Sequence, residues 1–504
     1  MFTMLEKDLT IKQLSDKING TIHGSQSYKS EKITGVFTTL NDAKEGDIVI
    51  RHWINGKGVE IANQKKVACL ITLHPEEDTI PTAEKLNYPV IIVEKIEVAN
   101  AFALEQTIER FAPQSKRIVI TGTNGKSTTS HMIYHILQNT GAKTFTNTDA
   151  RSEFNTLIDP MVSKLIKNTI QETNTLDYIV IEISEVQGWD DYFMKNHAKL
   201  MSTAINPDVA VVTNVAMDHI GLVNSIEEVN QEIQGYVKSL NKGTVIINND
   251  DENVKKMDKI NNKTQPFYVS MNPETLTKIN NENKLYYSEK QKAIIYKNEI
   301  FLKLEELPFQ SHHFIQNTLA AIASTISLNI SLDKIKEGVK TYKALKRRFV
   351  TLKENPRIID DFAHNPDGIK ATIKSAYEIA SKNSENLYII DAIRGSRGTT
   401  LNKLIAESLV EILNELKTDN KVSLNLILSC SEDEVDHLNT VTNEEKEIFT
   451  KVLDENNINY TLYDKLVDAL TNTLDKALND DVILLIGAQG MDPAEKILKK
   501  LELI

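Results

Sequence analysis

The run Ile118-Val119-Ile120-Thr121-Gly122-Thr123-Asn124-Gly125-Lys126-Ser127-Thr128-Thr129 sets an apolar stretch against two glycines, a lysine and a row of hydroxyls. This pattern predicts a strand that enters a tight loop and then a helix opening at about Lys126. Glycine lets the backbone approach an anion closely, and successive N–H groups can surround phosphate oxygens. Lys126 adds a point charge, and Ser127 or Thr128 offers a hydroxyl to Mg²⁺. Gly122 and Gly125 lie closer together than the G-x-x-x-x-G-K-[ST] spacing requires, so the case rests on the physics of a compact loop. The bland alternative is an ordinary strand-to-helix turn.

A nucleoside triphosphate brings a metal with it, and Mg²⁺ takes oxygen ligands. Glu182 follows Tyr178-Ile179-Val180-Ile181, and His219 closes Val211-Val212-Thr213-Asn214-Val215-Ala216-Met217-Asp218-His219. In a doubly wound sheet both stand at strand ends and can converge beside Lys126. Taken singly, a strand-end carboxylate is commonly a helix cap and an isolated His a structural one. The order of loop, Glu and Asn-x-x-x-Asp-His is what points to a site.

The elements that must position these residues follow from length and pattern. At 504 residues the chain exceeds what one core can serve. Short apolar runs at Ile33–Thr38, Ile48-Val49-Ile50, Val67–Thr72 and Val90–Val93, then helical spacing over Val98–Phe111, predict a small α/β unit. Runs at Ile118–Thr121, Tyr178–Ile183, Val209–Thr213 and Val245–Asn248 alternate with helix-length segments, as in a doubly wound parallel sheet. Ile358–Asp360, Leu387–Ile390, Leu424–Leu428 and Val482–Ile486 predict a further, Rossmann-like α/β sheet. The expected fold is therefore α/β in three domains, 1–113, 114–347 and 348–504. The Asn- and Lys-rich segment 251–300 reads as a peripheral excursion.

Composition narrows the function classes. Hydrophobic residues at 41% and charged residues at 25% suit a globular chain, and the net charge of −12 argues against a nucleic-acid partner. Cys69 and Cys430 lie in apolar runs and read as small buried hydrophobes, not as a disulfide framework. The start lacks a basic region followed by an apolar stretch, and no run approaches the ~18 apolar residues of a membrane helix. A cytoplasmic protein with no membrane partner is expected.

The phosphate loop, Glu182 and Thr213-Asn214-x₃-Asp218-His219 together resemble the Mur ligase family, ATP-dependent enzymes that add amino acids to cell-wall precursors. The likeness continues in order along the chain. His313-Phe314-Ile315-Gln316-Asn317-x₂-Ala320-Ala321 is similar to the family's adenine-contacting helix start, Arg348 to its hinge arginine, and Asp361-Phe362-Ala363-His364-Asn365-Pro366-Asp367 to the opening of its C-terminal domain. The N-terminal part, with Glu45-Gly46-Asp47-Ile48-Val49 and Asn55-Gly56-Lys57-Gly58, is most similar to the ligases that add the third residue or the final dipeptide.

The resemblance implies a precursor-binding N-terminal domain, a central ATP-binding domain and a C-terminal amino-acid-binding domain. ATP and Mg²⁺ are the implied cofactors, a nucleotide-activated peptide and a free amino acid the partners, and an acyl phosphate the intermediate. It assigns Gly122, Thr123, Asn124, Gly125, Thr128 and Asn214 to ATP and Lys126 to the β- and γ-phosphates. Ser127 goes to the first Mg²⁺, and Glu182 with His219 to the second. His313 and Asn317 would meet adenine, and Arg348 and Asp361 the phosphates and ribose. Arg394 and Arg397, after Leu387–Ile390, could clamp a carboxylate, with His364 and Asn365 on the substrate side. A monomer is expected.

Departures from the family pattern sharpen the expectation. Many relatives carry a carbamylated Lys after the Asp-His pair, but Ser225–Gly235 contains no Lys. Glu232 is the expected replacement as a metal-directed carboxylate. Ser429-Cys430-Ser431-Glu432-Asp433-Glu434 stands where diaminopimelate-adding ligases carry Asp-Asn-Pro-Arg, so diaminopimelate is disfavoured. Ser184-Glu185, Asn365 and the missing Lys look more like the archaeal ligases that build pseudomurein peptide, with a UDP-linked peptide expected as acceptor. The alternatives are a Mur-like ligase or cyclase of cofactor synthesis and, from another class, a phosphate-loop ATPase or nucleotide-gated scaffold.

Overall fold

The computed structural model describes residues 9–25, 30–149, 157–189, 192–218, 222–277, 279, 281–419, 421–437 and 439–504. Three large sheets correspond to the three expected α/β blocks. The first has five strands in the order β1-β5-β4-β3-β2. They are β1 (Gly20–His23), β2 (Phe37–Thr38), β3 (Ile48–Ile54), β4 (Cys69–Pro75) and β5 (Val90–Val93), parallel except for β1. The run Ile33–Thr38 contributes only its last two residues to a strand, and Gly20–His23 supplies an edge that apolar patterning did not mark.

The central sheet contains β6 (Lys116–Thr121), β7 (Thr144–Thr146), β8 (Tyr178–Glu182), β11 (Val209–Val212), β12 (Thr244–Asn248), β13 (Gln265–Ser270), β14 (Lys284–Ser288), β15 (Ala293–Tyr296) and β16 (Glu299–Lys303). Between β8 and β11, the short β9 (Gly188–Trp189) and β10 (Tyr192–Phe193) form a separate ribbon. β6 lies between β8 and β11, both parallel to it, with Ile118 opposite Val180 and Val209. Its apolar residues are fully buried, as a strand covered on both faces requires.

The segment 251–300, read as a peripheral excursion, supplies the strands at one edge of the central sheet. β13 joins the parallel sheet beside β12, and β14 to β16 extend it as antiparallel hairpins. Leu285 and Tyr287 are buried while Lys284, Tyr286 and Ser288 between them are half-exposed, so the polar composition is one face of an amphipathic strand.

The third sheet runs β17-β18-β22-β19-β20-β21. Its strands are β17 (Val350–Glu354), β18 (Arg357–Asp360), β19 (Asn386–Ala392), β20 (Ser423–Ser429), β21 (Tyr460–Tyr463) and β22 (Val482–Ile486), and only β17 is antiparallel. The chain forms two compact units, one of residues 1–215, 225–308 and 315–342, the other of residues 216–224, 309–314 and 343–504. The N-terminal and central sheets thus share a unit. Both cysteines are buried, and no described helix is long and apolar enough to cross a membrane.

Candidate active site

The helix Lys126–Asn139 starts where the sequence places it and buries Thr129, Met132, Ile133, Ile136 and Leu137, an i, i+3, i+4 stripe. Burying such side chains contributes roughly 1.5–3 kcal/mol each for the larger ones, which fixes the loop's exit. The loop itself depends on its glycines. Gly122 has φ +119° and Gly125 φ +83°, and a Cβ at either would lie 2.2 Å from a neighbouring side-chain oxygen, Thr213 Oγ1 for Gly122 and Asn317 Oδ1 for Gly125.

Asn214 continues β11's pairing as a side chain. The Asn124 N–H donates to Asn214 Oδ1 (2.9 Å), and Asn214 Nδ2 donates to the Asn124 carbonyl (2.9 Å). The Thr123 N–H adds a bond to the Asn214 carbonyl (3.0 Å). Asn214, expected at the nucleotide, therefore braces the loop, and Asn317 packs against its Gly125.

Lys126 Nζ donates to the carbonyls of Gly122 (2.7 Å) and Thr123 (2.9 Å) and to Glu185 Oε2 (2.7 Å). The Glu185 side chain is 0% exposed and that of Lys126 11%, so this is a buried ion pair. At the next strand tip, Ser127 Oγ donates to Glu182 Oε1 (3.0 Å) and Thr148 Oγ1 to Glu182 Oε2 (3.1 Å). Ser130 joins the Thr148 hydroxyl. The Asn147 amide holds the Glu182 backbone on both sides, accepting from its N–H (2.8 Å) and donating to its carbonyl (2.9 Å). Ser127 and Glu182 are thus in contact, Lys126 beside them is paired with Glu185, and Thr128 is half-buried on the same helical turn. His219 lies outside the described residues. The converging hydroxyl and carboxylate oxygens of Ser127, Thr148 and Glu182 are the hard donors that Mg²⁺ accepts, so the residues fit that ion.

Glu232 has a different partner from the one expected of a metal-directed carboxylate. It is buried on the helix Ile226–Ser239, and its Oε2 accepts the Asn196 N–H (2.7 Å) at the start of the helix His197–Ile205. Burial pushes its carboxyl above the ordinary range against the pull of that amide.

In the other unit, Asp218 meets the opening of the C-terminal domain. Asn365 Nδ2 donates to Asp218 Oδ2 (3.1 Å), while Asn365 Oδ1 accepts the Gly368 N–H (2.9 Å) and caps the helix Pro366–Asn383. His364 places Nε2 3.8 Å from Asp218 Oδ2 and Nδ1 2.8 Å from the Phe362 carbonyl, which assigns the proton to Nδ1. Burial, reinforced by the Arg394 cation, lowers His364 to about 3 despite Asp218, so the ring is neutral. Arg394 Nη1 reaches the His364 carbonyl (3.4 Å), and burial lowers its guanidinium to about 10 against the opposing pull of Asp218. Its Nε is buried without an acceptor among the described residues. Arg397, the second half of the expected clamp, is exposed and bonds the Ser396 carbonyl (3.0 Å) and Asn439 Oδ1 (3.4 Å).

His313 lies against the edge of Phe349 with Nδ1 at Ser375 Oγ (3.2 Å), and burial lowers it despite Asp361. Asp361 Oδ1 accepts the Ala363 N–H (2.8 Å) and the Thr372 hydroxyl (3.1 Å). The Arg348 guanidinium stacks 4.8 Å from the Phe362 ring. Its neighbour Arg347, not singled out in the sequence, is buried, with Nε on Asp360 Oδ1 (2.9 Å) and Nη2 on the Gly487 carbonyl (2.6 Å), and it also contacts Asp492. Burial raises Asp360 to about 6 against that arginine.

Sequence reasoning missed three further groups. Glu185 carries a signal, since it stands three residues past Glu182 at the same strand tip. Thr148 carries none, because its place depends on β7 pairing with β8. Glu445 is 1% exposed, and its carboxylate accepts the N–H groups of Ser396 (3.1 Å), Arg397 (2.7 Å), Gly398 (2.7 Å) and Thr442 (2.9 Å). Burial works against the charge, but those amides outweigh it and hold the carboxyl below its ordinary value.

Comparison with known proteins agrees with this arrangement. Residues 120–325 match the Mur ligase middle domain, and residues 347–489 match the domain described as Mur ligase, glutamate ligase domain. A UDP-N-acetylmuramate–L-alanine ligase from Pelagibacter ubique is 26% identical over 366 residues, 69% of this chain and 73% of that one. The Clostridium acetobutylicum enzyme of the same name is 29% identical over 264 residues, 51% of each chain. Among solved structures, MurF from Acinetobacter baumannii superposes over 100% of both chains with TM-score 0.69 at 18% identity. A pseudomurein peptide ligase type C from Methanothermus fervidus matches 90% of this chain and 95% of its own with TM-score 0.58 at 19% identity. With both domain models matched in order over residues 120–325 and 347–489, the chain belongs to the Mur ligase family of ATP-dependent, ADP-forming amide ligases.

Proposed function

We propose that this enzyme joins an amino acid to the terminal carboxylate of a nucleotide-activated, UDP-linked cell-wall precursor, and that the wall is pseudomurein. The observation that carries the reading is that Ser127 meets Glu182 beside the Lys126–Glu185 pair, where the loop after β6 faces the end of β8. In the proposed sequence a precursor carboxylate oxygen bonds to the γ-phosphorus as the bond to the ADP oxygen breaks. The amine nitrogen then bonds to the acyl carbon, phosphate leaves, and the nitrogen gives up its proton. Both steps gather negative charge on oxygen, which preorganised donors and cations stabilise. Mg²⁺, held by Ser127 and Glu182, would supply part of that positive charge. Lys126 would bind the β- and γ-phosphates, with loop amides of Gly122 to Thr128 around them. Asn317, packed against Gly125, would meet the nucleoside. Arg394, whose Nε has no acceptor among the described residues, would take the carboxylate of the incoming amino acid beside His364 and Asn365.

The pseudomurein reading is supported by the absence of Lys over Ser225–Gly235 and by Ser184-Glu185 and Asn365. A second reading, addition of alanine to UDP-N-acetylmuramate, is favoured by the names of the sequence relatives. Incubation with ATP, a panel of UDP-linked glutamyl peptides or UDP-N-acetylmuramate, and Glu, Ala or Lys, read by mass, separates them. Phosphate release is expected only when acceptor and amine are both present. Steady ATP hydrolysis without either would count against both readings.

A further inference from the structure

The three N–H donors of Lys126 are all engaged, two on carbonyls of its own loop and one on Glu185. If phosphate oxygens are to take this ammonium, as the proposed ATP site requires, they must compete with Glu185 for it. The competition is severe because Glu185 is fully buried. A carboxylate sealed from water resists losing an ammonium partner, and a polyphosphate arriving beside it adds like-charge repulsion. Glu182, three residues earlier at the same strand tip, adds a second buried carboxylate. A divalent cation entering with the nucleotide would restore the missing positive charge where Lys126 had supplied it. Glu232 is in a different situation, since its oxygen is bonded to the amide at the start of the helix His197–Ile205.

From this geometry we infer that Glu185 makes nucleotide binding metal-dependent: it competes with the phosphates for Lys126 until a divalent cation takes over the balancing of its charge. The inference rests on the reading of this loop as the ATP site, and it predicts a binding property separate from turnover.

The test is calorimetric titration of the full-length chain with ADP, in EDTA and in excess Mg²⁺. Wild type is expected to bind ADP weakly in EDTA and far more tightly with Mg²⁺. Glu185→Gln keeps the side-chain volume and can still accept from Lys126, but it removes the charge. It should tighten ADP binding in EDTA by about tenfold or more, as loss of a close like charge implies, and shrink the Mg²⁺ enhancement correspondingly. Glu185→Asp keeps the charge and should retain the wild-type metal enhancement, with thermal melts confirming that both variants fold. Unchanged or weaker metal-free binding by Glu185→Gln, with the enhancement intact, would overturn the inference while leaving the ATP site standing. Absence of any ADP binding by wild type, with or without Mg²⁺, would bring down both.

Discussion

Two glycine-containing loops, one after β6 and one after β19, each enclose a buried charge, and the charges have opposite sign. Between Gly122 and Lys126 the backbone turns carbonyls inward around an ammonium. Between Ser396 and Gly398 it turns amides inward around the Glu445 carboxylate. Lys126 is held partly by a side chain, Glu185, and a stronger anion can compete for it. Glu445 is held by the backbone at the starts of two helices, Gly398–Lys417 and Asn443–Glu455, and is part of their capping. The anion-binding capacity of the second loop is therefore already used by the protein. What that loop can still offer a substrate is a side chain, Arg394.

The largest effect is expected where the first loop loses its charge. Lys126→Ala should remove nucleotide binding and also destabilise its unit by about 3–5 kcal/mol, because the fully buried Glu185 carboxylate loses the ammonium bonded to it. Adding Glu185→Gln should recover most of the stability and none of the binding. Urea denaturation of the single and double variants measures this, and equal stability of Lys126→Ala and wild type would mean that the ion pair is not structural. At the second loop, Glu445→Ala should cost about 2–3 kcal/mol from orphaned amides at two helix starts, while Glu445→Gln should cost less. An accompanying rise in the amino-acid KM would tie the cap to Arg394.

Arg394→Ala should raise the KM for the amino acid at least about tenfold with little change in melting temperature, and Arg394→Lys should not restore it, since a lysine lacks the planar fork. A lysine variant with wild-type KM would argue that only charge matters there. A pH-dependent effect concerns Asp391, near the end of β19 just before the same loop. Burial raises it to about 7 from an ordinary 3.8, and its Oδ2 has no partner among the described residues, in contrast to Glu445 with its amides. A raised folded value stabilises fully below 3.8 and loses that contribution as pH climbs through 7. Melting curves should therefore show wild type losing stability relative to Asp391→Asn between about pH 4 and pH 7. Parallel curves would mean that Asp391 titrates normally.

The sequence reveals those parts of the fold that depend on local pattern. Buried parallel strands are visible as Ile/Val runs, and the start of the helix at Lys126 follows from the glycines before it. β14 was hidden because alternate polar residues on one face dilute its composition, and β7 because three residues carry no periodicity. In the site, Lys126, Ser127 and Glu182 were legible because they share strand tips that the topology must bring together. Thr148 and Glu445 were not, since each owes its role to an element far away in the chain. Glu232 shows the limit of reading by register: the position can be predicted, but the Asn196 amide that claims its oxygen cannot.

The two glycines of the first loop are each pressed against a side chain anchored elsewhere, Gly122 against Thr213 and Gly125 against Asn317. A loop wedged on both flanks has little conformational freedom left to lose when an anion arrives. Its share of the ordering penalty falls on folding instead of on association, so bare inorganic pyrophosphate should meet a cradle whose shape is already set.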